Sequence, residues 1–526
     1  MPTPEGGIDF QKRTLVLIAA VLFLRLLYAA IFPVNPAGDE AYYWDWGRQL
    51  DYGYFSKPPL IAWLYAIVDW IGQGGLFAIR ATAAVLATAS ILLLFKLTSA
   101  LFDERTGWLA AVLALAAPAN SVLGFFLTID APLVFCWSVA LWMFWRYVSG
   151  EGKAGTLLAL FAALAIGHLS KQMMMVFPVL AVIFLLLDRS TRPLLRRSGL
   201  TGALFGSYLA LVPPLVWNAK HDWITFKHTG HHFETSADGE NFLLERAEDF
   251  LAFLGTQLGV LSPVTGVALL SVSLAGLGSV RSASRPVRFL LVFGALPLAA
   301  MLLLALRQEL QPNWPAVYYV SGLALTAAWY GGHFTPPFPP PAWRRHYKIA
   351  VATGVGLVLF FYFGTFVFQA FGLAGHQADP NRRMMSHDLM AREFQEIRSA
   401  QPNAEEMFIA TVGHRDIASH LAFGLPDQPR VYHWDWSARI DSQYELWNDP
   451  SQDGFEGKDG LILVPGSKGL PGRLAKAFGN TTLVGEFEIP RGLDEPRSFS
   501  VHRGEDLKKW PAGVPLSQPP HGRRPQ

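Results

Sequence analysis

Cysteine is nearly missing from this chain. Cys136 stands alone among 526 residues and lies in an apolar run, which excludes both a disulfide framework and a thiolate metal site. Charge is scarce as well: Asp, Glu, Lys and Arg make up 16% of the residues, and the formal net charge is +2. A chain this close to neutral has no general electrostatic footprint for nucleic acid, so no nucleic-acid partner is expected. Internal repeats are not evident either, which weakens the case for a transporter whose site lies at the membrane midplane between two halves.

Apolar sequence is abundant instead. Hydrophobic residues form 51% of the chain, and apolar runs of about 18 or more residues recur along the first 370, the signature of transmembrane helices. Spans are expected near 14–33, 77–101, 107–122, 130–148, 154–169, 172–187, 200–217, 250–279, 288–306, 316–332 and 349–372, about eleven in all. The first run, Thr14 to Phe32, is too long for a signal-peptide core and lacks a small-residue cleavage site, so it reads as a retained helix. Lys12 and Arg13, Arg105, Arg189 to Arg197, Arg281 to Arg288, and Arg344 to Lys348 fall in alternate loops. Those loops are cytoplasmic by the positive-inside rule. The N-terminus is then inside, and the 34–76 loop, the 218–249 loop and everything after residue 373 face the other side.

Past residue 373 the apolar runs shrink to strand length and charges return. Phe408–Val412, Arg430–Trp434, Leu461–Pro465 and Thr482–Ile489 read as strands, with helical patterns around Ile417–Leu425 and Leu470–Phe478. This alternation indicates a small α/β domain. The expected fold class is therefore a polytopic α-helical membrane protein, with a transmembrane domain at 1–372, an α/β domain outside the cytoplasm at 373–510, and a Pro-rich disordered tail at 511–526.

The chemistry-bearing residues gather at the expected outer boundary. Residues 38–59, GDEAYYWDWGRQLDYGYFSKPP, put carboxylates, aromatics and a lysine in one loop just after the first span. An acidic pair at the mouth of a span is costly unless it has a task. Asp39 and Glu40 are adjacent, so on a helix their side chains point roughly 100° apart and only one reaches a given centre well. Asp39 is the favoured general base and Glu40 the second candidate; Asp39 is also a good helix N-cap, and the two roles are compatible. Asp130, in LTIDAPLVF, opens the fourth span on the same side, where it starts a helix or orients an acceptor or cation. Lys57, in YFSKPP, and Lys171, in GHLSKQ, sit where the positive-inside bias leaves few cations. They either snorkel or hold a lipid phosphate. Tyr43 and Tyr54 belong to an aromatic group that forms an interfacial belt or lends ring faces to a sugar. His221, His228, His231 and His232 match no closed zinc motif, and no metal or other cofactor is invoked.

Together, GDEAYYWDW to YFSKPPLIAW, TIDAPLVFCW, LSKQ and VWNAKHDWITFKHTG resemble the bacterial branch of the protein O-mannosyltransferase and aminoarabinose (lipid A) transferase family, over about the first 320 residues. The resemblance implies a GT-C fold and a multi-pass enzyme of the bacterial inner membrane, its active site facing the periplasm. Such an enzyme moves one sugar, with inversion, from a polyprenyl-phosphate carrier to an acceptor. Matched by motif, Asp39 is the catalytic aspartate, Lys57 the carrier-phosphate lysine, Asp130 the second outer acidic position and Lys171 a further phosphate-side lysine. The loop reads FSKPP where the lipid A branch more typically has an FEKP-like run. Lipid A or another glycolipid is the first expectation for the acceptor, a protein hydroxyl the second.

The residues fit that reaction on their own terms. A phosphate-linked sugar carries a good leaving group, so positive charge on the departing phosphate and a base for the acceptor suffice. A flippase that binds the same carrier lipid without chemistry, or a receptor that uses the C-terminal domain, would share the spans and lysines. Both account less well for carboxylates gathered at one outer surface.

Overall fold

The computed structural model describes residues 9–32, 34–231, 242–336, 343–435, 440–466 and 469–511. Contacts divide the chain into two units. One comprises Met1–Pro33, Asp51–Gly53 and Lys57–Phe363; the other comprises Val34–Leu50, Tyr54–Ser56 and Gly364–Gln526.

The first unit is helical. Six of its described helices are long and apolar enough to cross a membrane: Phe10–Ile31, Leu76–Leu101, Asp130–Val148, Ser198–Lys220, Arg285–Ala305 and Arg345–Ala370, the last running past the unit's edge. A bent pair, Leu244–Leu261 and Pro263–Leu277, makes a seventh if it is one span. Every expected apolar run is helical, yet several are too short to cross alone. Glu104–Leu115 has 12 residues and Tyr318–Gly331 has 14, about 18 and 21 Å at 1.5 Å per residue, against roughly 30 Å of hydrocarbon. The 107–122 run is cut where Pro118 restarts the chain as Pro118–Leu123. Tyr318 to Tyr330 is buried throughout, so its apolar character serves the interior of the bundle. The expected 250–279 span bends by 112° at Ser262, whose φ of 69° and following proline end one helix and begin the next.

A ring-packed core ties these helices together: Phe177 lies 5.0 Å from Trp137 and 4.9 Å from Phe293, and Trp137 lies 5.6 Å from Tyr318. Polar contacts mark two ends of the unit. At one, Asp188 accepts from Arg285 at 2.7 Å and lies 3.7 Å from Arg288, and His333 meets Asp103 at 2.7 Å; these loops carry the clustered arginines. At the other, Tyr65 donates to the Leu127 carbonyl at 2.7 Å, and Ser170 to that of Ile129 at 2.8 Å.

The second unit holds a five-stranded sheet of order β2-β1-β3-β5-β4, with β1 at Phe408–Val412, β2 at Val431–Trp434, β3 at Gly460–Pro465, β4 at Phe478–Arg491 and β5 at Asp494–Leu507. β1 pairs in parallel with β2 and β3, and β5 runs antiparallel between β3 and β4. The first three strands are buried along nearly their whole length, as parallel strands must be. Two expectations change here. The helix read at Leu470–Phe478 shrinks to Gly472–Ala475, because Phe478 opens β4 and packs on Phe408. The strand β5 was not foreseen, since DEPRSFSVHRGEDL is rich in charge and lacks an apolar run. The tail expected from 511 lies, beyond Pro511, outside the described residues.

Chain order alone would place a boundary near residue 372, but Val34–Leu50 and Tyr54–Ser56 of the first loop group with the α/β unit. Tyr42 Oη accepts from the Gln443 N–H at 2.6 Å, Gln443 Oε1 from the Phe55 N–H at 2.7 Å, and Tyr444 donates to buried Asp45 at 2.7 Å. Arg48 adds a 2.7 Å bond to the Gln428 carbonyl. Burial pushes the Asp45 carboxyl above the usual carboxylate range, outweighing the lowering by Arg48 and Tyr444.

Candidate active-site residues

In the second unit the motif GDEAYYWDWG is a helix, Gly38–Gly47, whose N-cap is Ala37 and not Asp39. Asp39 is therefore the second helical residue and Glu40 the third, and both stand where the helix end favours negative charge. Glu40 turns back: the Ala37 N–H donates to its Oε2 at 3.0 Å, and the residue is fully buried. That geometry makes Glu40 a helix-start residue, as a third-position Glu commonly is. Asp39 points elsewhere, with 51% of its side chain exposed and Oδ1 3.4 Å from Arg415 Nη2. Of two adjacent carboxylates, one is spent inside the fold and the other is accessible to a reactant.

Arg415, a partner of Asp39, opens the helix Arg415–Gly424. Its guanidinium also lies 4.6 Å from the centre of the Tyr42 ring and 3.9 Å from Asp416. Burial pushes the Asp416 carboxyl up, but the His414 hydrogen bond and the charges of His414, Arg415 and His420 outweigh it and bring it to about 2. Gly38 lies close beside it: a Cβ there would stand 2.9 Å from the Asp416 carboxyl carbon. Neither Arg415 nor Asp416 was singled out from the sequence.

Tyr43 and Tyr54 depart from the expected sugar-facing role. Tyr43 is 3% exposed and packs edge-on to Trp46 at 5.1 Å. Tyr54 is fully buried, stacks on Trp46 at 4.4 Å and 4°, and donates to the Gln49 carbonyl at 3.0 Å. These rings fill a small aromatic core, where ring against ring gains more than ring against water.

In the first unit the TIDAP and LSKQ motifs meet. Asp130 is the first residue of Asp130–Val148, and Lys171 is the extended residue that ends Ala154–Ser170. Lys171 Nζ donates to Asp130 Oδ1 at 2.8 Å, and both side chains are below a tenth exposed. Asn313 Nδ2 donates to the other Asp130 oxygen at 2.6 Å. Asp130 and Lys171, read separately from the sequence, are thus one buried pair with both carboxylate oxygens engaged. Asn313 was missed; its setting, QPNWP between two apolar runs, was the available signal.

Lys57 is partly buried and stands two residues before Pro59, the N-cap of Leu60–Gly72. The VWNAKHDW motif reaches the same stretch of chain: Trp217 donates to Asp51 Oδ2 at 2.6 Å, and its ring covers Gly53 so closely that a Cβ there would lie 2.8 Å away. His221 stacks on Trp217 at 3.9 Å. The side chain of His231 and all of His232 lie outside the described residues, and among the described residues no group of three His, Cys, Asp or Glu is placed to hold a metal.

Comparison with known proteins agrees with the resemblance. Residues 56–217 match the family described as dolichyl-phosphate-mannose-protein mannosyltransferase. The lipid A galacturonosyltransferase RgtD of Rhizobium johnstonii is 29% identical over 294 residues, 55% of this chain and 59% of that protein. The matched region thus spans less than two thirds of that relative's length. The crystal structure of ArnT from Cupriavidus metallidurans in the apo state superposes with a TM-score of 0.62 at 16% identity, covering 93% of this chain and 98% of that one. The same protein bound to undecaprenyl phosphate gives 0.60 at 16% identity, covering 93% and 97%. The fold is the GT-C fold of ArnT.

Proposed function

We propose that this chain is an inverting glycosyltransferase of the bacterial inner membrane. It takes a single sugar from a polyprenyl-phosphate donor and transfers it to lipid A or another envelope glycolipid, on the periplasmic face. The observation that carries the reading is Asp39, a half-exposed carboxylate held by Arg415 on the helix formed by the opening motif. The named activity of RgtD and the undecaprenyl phosphate bound to ArnT support the substrate classes.

In this reading the acceptor oxygen forms a bond to the anomeric carbon as the bond from that carbon to the phosphate oxygen breaks. The bonding pair leaves with the phosphate. Where the acceptor is a hydroxyl, its proton goes to Asp39. With no covalent intermediate the anomeric centre inverts. Lys57 supplies positive charge to the departing phosphate. Lys171 keeps ammonium protons beyond the one it gives Asp130, so it can add to that charge while Asp130 and Asn313 hold it in place. Membrane helices keep the prenyl tail in lipid, so donor and acceptor meet in a restricted geometry. We place the α/β unit outside the cytoplasm, because the basic Arg344–Lys348 loop is cytoplasmic by the positive-inside rule and the helix Arg345–Ala370 then crosses to the other side.

The test is reconstitution. Purified protein in detergent, given a polyprenyl-phosphate sugar and lipid A, releases free polyprenyl phosphate in step with glycosylated lipid. Donor that crosses a bilayer intact, with no release of polyprenyl phosphate, would make the protein a flippase instead.

A further inference from the structure

Arg415 occupies an unfavourable place for a cation. It is the first residue of a helix, where unpaired N–H groups carry partial positive charge and anions are preferred. Local helix stability therefore does not explain it. Its surroundings do, because Asp39, Asp416 and the face of Tyr42 all lie within 5 Å of the guanidinium.

Its placement is supported by the helix it opens and by the ring beneath it. The helix follows β1 through Gly413, whose φ of 109° lets the chain turn at the carboxyl end of a parallel strand, the edge where α/β sheets present functional side chains. Ile417, Ala418, Leu421 and Ala422 bury its inner face. Tyr42, beneath the guanidinium, is fixed through its hydroxyl by the Gln443 N–H. The base of the side chain and the ring beneath it are thus fixed, and of the two carboxylates beside the guanidinium Asp39 is the nearer.

We infer that Arg415 is a positioning residue for the transfer reaction: it holds the Asp39 carboxylate ionised and aimed, and so makes the C-terminal α/β unit part of the reaction's machinery. The inference rests on the reading of Asp39 as the general base. It adds a requirement from a residue 376 positions away in the chain and lying beyond the family match at 56–217.

Kinetics of the full-length protein in detergent test it, with a polyprenyl-phosphate sugar as donor and lipid A as acceptor. Arg415→Ala is expected to lower kcat by about tenfold, less than the hundredfold or more lost with a removed base, and to leave the donor KM within about twofold. The acidic limb of the pH–kcat profile should move to higher pH, because a carboxylate without its cation protonates sooner. The charged or titratable groups facing Arg415 besides Asp39 are Tyr42 and Tyr43 from the Gly38–Gly47 helix and Asp416 from its own helix; Asp416 in turn faces His414, His420, His387 from His387–Ser399 and Arg497 from β5, and Glu40 faces His420. Arg415→Lys should restore the acidic limb more fully than kcat, since it returns the charge without the planar fork.

An Asp39→Asn background supplies the control for general damage: there Arg415→Ala should cost nothing further, because the group it acts through is gone. An unchanged kcat and acidic limb in Arg415→Ala would overturn the inference, as would a penalty that persists in full beside Asp39→Asn. Asp39→Asn with wild-type turnover removes the base assignment and this inference, and leaves the transferase reading standing. No transfer by the wild type removes all three.

Discussion

Replacing Asp130 by alanine strips a buried lysine of its counter-charge, and the cost can be worked from the geometry. Lys171 Nζ and Asp130 Oδ1 are 2.8 Å apart, with side chains 9% and 7% exposed. At an effective dielectric constant of about 20 their attraction is roughly 6 kcal/mol, set against the several kcal/mol needed to dehydrate each ion. Breaking such a pair costs about 3–5 kcal/mol, since one charge stays buried and alone. Asn313 would lose its acceptor as well, at about 1 kcal/mol more. Against a typical total of about 5–15 kcal/mol, Asp130→Ala should unfold at a clearly lower temperature in detergent. Removing both charges, as Asp130→Leu with Lys171→Met, should recover most of that stability, because paired apolar replacements are often neutral. Transfer activity should not return with it, as the cation we assign to the phosphate is absent. Thermal unfolding of the single and double variants, followed by the transfer assay, gives both readings. Single variants as stable as wild type would refute the reasoning about the pair, and a fully active double variant would refute the role given to Lys171.

Lys57→Ala should raise the donor KM and lower turnover while the protein inserts and folds normally, with Lys57→Arg retaining part of the function; wild-type donor saturation in Lys57→Ala would make the lysine a membrane anchor only. A reporter fused after Gly375 should behave as exported, and cytoplasmic activity there would reverse the side assigned to the α/β unit. His433 is buried and hydrogen-bonded to Glu445; burial lowers its affinity for a proton, but Glu445 outweighs this and holds it above the ordinary 6.5. Its contribution is then complete below pH 6.5 and lost as pH rises through the higher folded value. Unfolding temperatures of wild type should therefore fall over that rise, Glu445→Gln should flatten the dependence, and equal slopes for the two proteins would exclude the pair as its source.

Hydropathy acts residue by residue along the chain, which is why every apolar run expected as a span is helical and why β1 and β3 stood out as short apolar strands. It is blind to where a helix breaks once it is packed. Ser262 and Pro263 turn one expected span through 112°, and Tyr318–Gly331 spends its apolar surface inside the bundle. It is equally blind to a strand such as β5, whose pairing with β3 and β4 comes from backbone hydrogen bonds and not from side-chain pattern. Residue type and motif singled out Asp39, Lys57, Asp130 and Lys171 as candidates. They could not say that Glu40 caps its own helix, that Tyr43 and Tyr54 lie buried, or that Asp130 and Lys171, 41 residues apart, neutralise each other. Arg415 and Asn313 reach their carboxylates across 376 and 183 residues. A charge has no local signature of the partner it will meet, because that meeting depends on how the whole chain returns on itself, and so the tertiary structure alone decided it.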